Sequence, residues 1–324
     1  MTGIHAFIEE YYRHFNAGQL REAARAYVQH IRAGGRMFLS LAGAMSTAEV
    51  GKILAPAIRN ELIHGISCTG ANLEEDMFRL VGGRGYHWIP EWQTLAPETE
   101  RRMFEGGISR VTDTGIPEPV MAMVEDELFI RWEAAANSGR SAFPVDFMFD
   151  LLRDPAIQRH FQDTAGSWLL AAEEKNIPIW TPGWEDSSTG NAFTAAVLRG
   201  DISRHDCVRP GTEAMATLVR WYMENCDPAP GIGFLQVGGG IAGDFAICVT
   251  PLILKELQLK DTPVWGYFCQ ITDAVPTYGG YSGAPPNEKI TWGKVYETTP
   301  RYSINSDATI VLPLLLAYVL EEVG

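Results

Sequence analysis

Three consecutive glycines that follow a short apolar segment constrain the fold of this chain more than any other feature. The hexapeptide 238–243 (Gly-Gly-Gly-Ile-Ala-Gly) follows the apolar segment 234–237 and has the spacing G-x-G-x-x-G. Glycines at this spacing let backbone amides approach a pyrophosphate where a strand turns into a helix. The acidic residue expected about twenty positions later in such a unit is not cleanly placed. The segment predicts a strand, a tight turn and a helix, with a nucleotide as one candidate ligand.

The same order of elements is predicted near the amino terminus. The apolar run 37–41 leads into the small residues 42–44 and then into helical spacing, and the buried run 62–69 leads into a second small-residue turn, 70–72. Glu74, Glu75 and Asp76 come next, where capping and dipole compensation at their own helix would explain them. This alternation is the order of elements expected of a nucleotide-binding α/β layer, so the chain is predicted to be an α/β protein.

The remaining segments are predicted from spacing and turn residues. Residues 1–33 have helical spacing and form a predicted amino-terminal arm, and residues 34–324 a single catalytic domain. Residues 82–140 are expected to be loop and peripheral helix. The polar turn 181–191 follows a short strand and is either a ligand-binding loop or a long solvated turn. Strand 264–271 and a last helix capped at Ser306-Asp307 complete the chain.

Charge and cysteine content exclude several classes of protein. A net charge of -14 over 324 residues offers no basic stripe for nucleic acid. The five cysteines are widely spaced without zinc-ligand spacing, so we expect reduced thiols and no metal. Residues 1–13 lack a signal-peptide pattern, and the nearly apolar run 310–320 is too short for a bilayer. These features predict a cytoplasmic protein that does not enter membranes.

The tetrapeptide 291–294 (Thr-Trp-Gly-Lys) contains a candidate nucleophile. Beside a tryptophan and a glycine, Lys294 can occupy a dry pocket where its neutral amine attacks a carbon electrophile. The alternative is a lysine on a solvated edge with its stem along Trp292.

The chain resembles the deoxyhypusine synthase family along most of its length. The resemblance covers 38–45, 69–76, 176–191, 237–243 and 273–315 in the family's order, and Trp292-Gly293-Lys294 and Asp307-Ala308 are its most specific parts. It implies a Rossmann-like three-layer αβα fold with a mostly parallel sheet, and a homotetramer with NAD near the subunit interfaces. It also implies aminobutyl transfer from spermidine through a lysine imine.

The resemblance also implies roles for individual residues. Lys294 is similar to the lysine that takes up the butyl group, Trp292 to the aromatic residue of the polyamine channel, and Glu75 and Glu288 to acids near the amine. The positions that match the family's NAD-lining residues are Gly43, Ala44, Thr69, Gly70, Ala71, Asp186, Gly239, Asp273, Ala274, Gly279, Gly280, Asp307 and Ala308.

Three positions depart from family members that modify a protein lysine. Asn191 and Tyr281 stand where those members carry aspartates, and Asp244 stands where they carry a histidine. Asp244 could replace the missing base if burial raised its pKa, or it could cap the helix after Gly243. The altered pocket should change which amine fits.

These departures favour an NAD-dependent aminoalkyl transferase that uses polyamine substrates with a small amine acceptor, as in homospermidine formation. The alternatives are true deoxyhypusine synthesis on a protein acceptor, a non-catalytic nucleotide-binding assembly protein and, with less support, a simple dehydrogenase.

Overall fold

The computed structural model describes residues 3–275 and 279–324. Residues 1–2 of the predicted arm and Tyr278 of the predicted glycine-rich loop lie outside the described residues. The helices are α1 (Ile4–Tyr11), α2 (Phe15–Arg32), α3 (Gly51–Arg59), α4 (Gly70–Gly82), α5 (Pro97–Glu105), α6 (Glu118–Ser138), α7 (Pro144–Leu152), α8 (Pro155–Gln158), α9 (Trp168–Glu174), α10 (Ser188–Arg199), α11 (Gly211–Asn225), α12 (Gly240–Ile247), α13 (Val249–Pro251), α14 (Glu288–Thr291) and α15 (Ala308–Val323). The strands are β1 (Arg36–Leu41), β2 (Gly65–Cys68), β3 (His87–Trp88), β4 (Ile108–Val111), β5 (Thr114–Pro117), β6 (Ile179–Trp180), β7 (Ile232–Val237), β8 (Tyr267–Thr272) and β9 (Arg301–Asn305).

Six strands form one sheet in the order β6-β2-β1-β7-β8-β9, and every neighbouring pair is parallel. Counted in chain order within this sheet, the strands lie 3-2-1-4-5-6, the order of doubly wound dinucleotide-binding folds. The order reverses between β1 and β7, where Phe38 pairs with Phe234. The predicted α/β, Rossmann-like three-layer fold with a parallel sheet is confirmed.

Helices cover both faces of this sheet, which explains why its central strands are buried throughout. On one face Phe38 and Phe234 stack at 5.7 Å and pack with Trp265. On the other, Tyr27 of α2 packs against Tyr267. The first two helices, from the predicted arm, pack against α15, and α2 also contacts β9.

Two regions differ from the sequence-based expectations. Residues 82–140, expected to be loop and peripheral helix, also hold a three-stranded antiparallel sheet, β3-β5-β4. Its strands are two to four residues long and partly exposed, so they lack a readable apolar alternation. Edge strand β9 lies unpredicted between Lys294 and the last helix, because only Ile304 in it is buried.

The acidic run of α4 was wrongly assigned to capping of its own helix. Thr69 caps α4, and all three carboxylates lie deeper in the helix and are buried. Glu74 accepts hydrogen bonds from the backbone N–H groups of Ser188 and Thr189 at the start of α10. Asp76 accepts from the Ser167 hydroxyl and the Leu169 N–H at the start of α9. Both carboxylates therefore cap neighbouring helices.

Other boundaries moved by a few residues. Strand β8 begins at Tyr267 rather than at the predicted residue 264. Asp307 is the N-cap of the last helix, α15, and Pro313 lies inside that helix. Every cysteine is a free thiol, as expected. Among the described residues, no helix has both the length and the apolar character that crossing a bilayer requires.

Candidate functional site

The residues predicted to line a cofactor follow the carboxyl ends of the six parallel strands. Because parallel strands end at the same edge, residues that follow different strands gather along one cleft. Residues 43–44 follow β1, 69–71 follow β2, and Asp186 follows β6. On the other side of the strand-order reversal, Gly239 follows β7, residues 273–274 and 279–280 follow β8, and residues 307–308 follow β9.

Contacts join these loops into a continuous edge. The Thr69 hydroxyl donates to the Gly43 carbonyl at 2.7 Å. A Cβ on Gly70 would lie 2.6 Å from the Ser187 Cβ, and one on Gly239 would lie 2.0 Å from the Ser282 Cβ. Glycine is therefore required at both positions for close approach of the chain.

The edge also offers the backbone groups that a dinucleotide needs. Helix α12 begins at this edge after Gly239, and no side chain caps its first N–H groups. A Cβ at Gly240, Gly279 or Gly280 would meet nothing within 4 Å, so open space adjoins the backbone there. A dinucleotide therefore fits the open backbone of this edge.

The turn that ends α14 explains the Trp-Gly-Lys motif. Gly293 has φ +71°, which strongly favours glycine. Its N–H donates to the Ile290 carbonyl, and the Lys294 N–H donates to the Lys289 carbonyl at 2.9 Å. These two bonds form a Schellman turn. The turn folds Lys294 back beside the start of α14, so Lys289 and Lys294 share one side of the segment.

Lys294 lies in a cavity between α12 and residues 279–294. Its side chain is only 6% exposed, so the prediction of a solvated edge is wrong. Its Nζ lies 3.5 Å from Asp244 Oδ1 and 5.1 Å from the centre of the Tyr281 ring. The cavity measures about 290 Å³, and its walls include Asp244, Cys248, Tyr281, Glu288, Lys289, Trp292 and Lys294.

The groups around Lys294 have defined partners. Asp244 stands inside α12, where it does not cap the helix as the alternative proposed, and it also accepts a hydrogen bond from the Cys248 thiol at 3.4 Å. The Tyr281 hydroxyl donates to Gln236 at 2.8 Å. Trp292 is half exposed at the rim, with its ring 5.9 Å from Lys294 Nζ.

Lys289 is a site residue that sequence reasoning missed. It is only 2% exposed, and its Nζ lies 4.6 Å from the centre of the Tyr281 ring. Burial, reinforced by the charge of Lys294, lowers the pKa of Lys289 to about 8. A lysine beside a glutamate is usually solvated, and only the glycine four positions later signals the turn that buries it.

Two predicted substrate residues lie away from this cavity. Asn191 is exposed in the first turn of α10, where its side-chain amide donates to the Ser187 carbonyl. Residues 188–191 are thus helical, so the alternative of a solvated turn over 181–191 does not describe them. Glu75 is buried near Thr47 and Tyr86, which line a separate cavity of about 740 Å³ together with Ala44 and Asp307.

The pKa of the Glu75 carboxyl group is raised well above the ordinary value for a glutamate. Its Oε2 is buried without a hydrogen-bond partner among the described residues. Burial, and then the neighbouring charge of Glu74, raise the pKa of Glu75 to about 8. Folding therefore takes up a proton at Glu75 in the range between the ordinary pKa of a glutamate, about 4.3, and about 8. Stability contributed by this group falls as the pH rises through that window.

We expect Glu75→Gln to stabilise the fold at pH 8.5 by a few kcal/mol, because the buried charge is removed, with the gain shrinking toward pH 5. Urea unfolding of both proteins across this pH range measures it. Glu74→Gln is the matched control: it replaces one of the two oxygens that accept the Ser188 and Thr189 N–H groups with an NH2 group, and it should destabilise the fold across the same pH range. A Glu75→Gln gain that does not change with pH would contradict the assignment.

Comparisons with known proteins agree with this architecture. The family model described as deoxyhypusine synthase matches residues 6–319. A deoxyhypusine synthase-like protein of Cyanothece sp. is 32% identical, with 97% of this chain and 78% of the relative covered. The "Probable deoxyhypusine synthase 2" of Archaeoglobus fulgidus is 30% identical over 93% of this chain and 92% of the relative.

A solved structure shares the fold. The crystal structure of a "putative deoxyhypusine synthase" from Entamoeba histolytica aligns with a TM-score of 0.55 at 10% identity, over 96% of this chain and 90% of that chain. At this identity the likeness concerns the fold alone. The family match over almost the whole chain, together with relatives of 30% identity or more, shows that this chain belongs to the deoxyhypusine synthase family.

Proposed function

We propose that the protein is an NAD-dependent aminobutyl transferase in which Lys294 holds the aminobutyl group as an imine, and that its acceptor is a small amine. The observation that carries the proposal is the buried amine of Lys294, which lies beside Asp244 in a cavity whose rim residues Asp244 and Trp292 are half exposed. A buried lysine amine without bulk water around it is suited to attack an imine carbon and to protect the product from hydrolysis.

The residues of the chain divide the chemistry between them. Residues at the carboxyl edge of the sheet, among them Thr69, Gly70 and Gly239, would hold NAD, which would supply a reversible hydride acceptor for the carbon next to the donor's secondary amine. The neutral amine of Lys294 attacks the resulting imine carbon and forms a C–N bond. The bond to the departing diamine breaks, and that diamine leaves with the proton that Lys294 gave up. Attack by the acceptor amine then releases Lys294 by the reverse exchange.

Carboxylates in the cavity would hold the cationic ends of the amines. Glu288 at the cavity wall and Asp244 opposite Lys294 are suited to this role, and Trp292 at the rim offers an aromatic face to an alkylammonium group. Glu75 is buried beside Thr47 and Tyr86, away from the cavity of Lys294 in the same chain, so its contribution to an amine site would require a second subunit. This is in keeping with the proposed homotetramer.

The charge balance in the cavity supports a small acceptor. Its two acids, Asp244 and Glu288, are matched by the two lysines, and Asp244 is already paired with Lys294. Asn191 adds no negative charge, and its side-chain amide already donates to the Ser187 carbonyl. Asp244 and Glu288 are the acids of this cavity that can pair with a bound amine, and a short diamine has one ammonium group to pair while its other amine attacks.

We expect the protein, incubated with NAD, spermidine and putrescine, to form homospermidine without net accumulation of NADH. Mass spectrometry of the products, with agmatine as a further candidate acceptor, measures this. Transfer only to the lysine of a translation factor precursor would contradict the small acceptor and favour true deoxyhypusine synthesis. Stoichiometric NADH release would indicate a dehydrogenase. No product, and no adduct on Lys294 after borohydride reduction, would leave a binding or assembly protein.

A further inference from the structure

Two buried lysines share one pocket with one paired carboxylate. Lys289 is 2% and Lys294 is 5% exposed, and both ammonium groups face the Tyr281 ring, at 4.6 and 5.1 Å from its centre. The Schellman turn at Gly293 fixes this geometry, because it bonds the backbones of the two lysines directly. The segment itself therefore holds the two backbones together, and the Tyr281 ring packs against both side chains.

The charges that face Lys289 are few. Among residues 3–275 and 279–324, the carboxylate within 4.0 Å of either ammonium is Asp244, and it pairs with Lys294. From α12, Asp244 and the Cys248 thiol face Lys289 at longer range, and from α14 its neighbour Glu288 does so. Strand β8 contributes only the Phe268 ring, at 5.6 Å. Lys289 is thus a buried cation whose strongest charged neighbour is a second cation.

The proposed mechanism makes two opposing demands on Lys294. The ion pair with Asp244 favours the ammonium form of Lys294, yet only the neutral amine can attack an imine. A second positive charge in the same low-dielectric pocket acts in the opposite sense. We infer that Lys289 is a positioning residue for imine formation: its charge opposes the pair of Asp244 with Lys294 and increases the fraction of Lys294 that is neutral.

The inference rests on the proposed function and deepens it. The repulsion between the two ammonium groups is mutual, so it acts on Lys289 as well as on Lys294. The lowered pKa of Lys289, about 8, is in keeping with this coupling. Near neutral pH Lys289 is still mostly charged, and its effect on Lys294 is present there. The effect fades as the pH rises above that value.

The test measures the reactivity of Lys294 without substrate or NAD. Trace labelling of the intact protein with isotopic acetic anhydride across a pH series, read by mass spectrometry, gives the pH midpoint of modification at Lys294. We expect Lys289→Met, which keeps the apolar stem but not the charge, to raise this midpoint by about one unit, about tenfold less labelling at neutral pH. Lys289→Arg, which keeps the charge, should leave the midpoint where it is or lower it.

A control variant and two contrary results distinguish failure of this inference from failure of the proposed function. Lys255→Met removes an exposed charge 5.2 Å from the Trp292 ring and should not move the midpoint. Lys289→Gln replaces the methionine variant if that one does not fold. An unchanged or lowered midpoint in the uncharged variant would overturn the inference. A shift without any borohydride adduct on Lys294 would instead overturn the proposed function, and with it the role of Lys289 in imine formation.

Discussion

A Lys294→Met variant is expected to lose aminobutyl transfer by roughly a thousandfold or more, because it removes the amine that holds the carbon fragment. Methionine preserves the apolar stem in the cavity, so folding should be kept. Product formation from spermidine, and the mass of the borohydride-reduced protein after incubation with NAD and donor, measure the loss. The wild-type protein should gain one reduced adduct at Lys294, and the variant should gain none.

Two further variants separate the nucleophile from the charge. Lys294→Arg keeps a cation beside Asp244 without a nucleophilic amine, and it should be as inactive as the methionine variant. Lys255→Met, at the rim of the same cavity, should keep activity within about twofold. Transfer by Lys294→Met near the wild-type rate, or an adduct on another lysine, would remove Lys294 from the mechanism.

The largest loss of stability is expected from Asp76→Ala. The buried Asp76 carboxylate accepts from the Ser167 hydroxyl at 2.6 Å and from the Leu169 N–H at 3.1 Å. Its removal leaves the Leu169 N–H unpaired in the core and takes away the acceptor of the Ser167 hydroxyl, although Ser167 still caps α9 through the Leu170 N–H. We expect the free energy of unfolding to fall by about 3 kcal/mol, read from the midpoint of urea unfolding.

A less buried acid of the same region provides the comparison. Asp163 accepts the Gly166 N–H near the surface, so Asp163→Ala should cost at most about 1 kcal/mol. Asp76→Asn retains one acceptor oxygen and should fall between the two. Equal losses for Asp76→Ala and Asp163→Ala would show that α9 is held mainly by its apolar contacts.

The central strands could be predicted because burial on both faces leaves an unbroken apolar run. The segments around Phe38 and Phe234 have this pattern, and each ends in small residues where the chain must turn. Edge strand β9 lacks it, since one face of an edge strand and its ends meet solvent. The three-stranded sheet escaped prediction for the same reason.

The candidate site was predictable where the chain itself brings residues together. Lys294 and Trp292 are close because they share one turn, and Glu288 is close because that turn ends its helix. The pairing of Asp244 with Lys294 crosses from α12, and no local pattern reports such a contact. The burial of Lys289 likewise depends on Phe268 and Tyr281, which are distant in sequence or in another element.

The two carboxylates of α4 that cap other helices have a consequence for protein engineering. Glu74 joins α4 to the segment that follows Asp186, so the loops after β2 and β6 are thermodynamically coupled. Exchange of the 181–191 segment between relatives will therefore succeed only when the matching turn of α4 travels with it. Chimeras that take residues 181–191 and the Glu74 turn of α4 from different relatives should lose more free energy of unfolding than the two exchanges made separately would predict. Chimeras that exchange residues 279–294 as one block leave the contact of Glu74 with α10 intact.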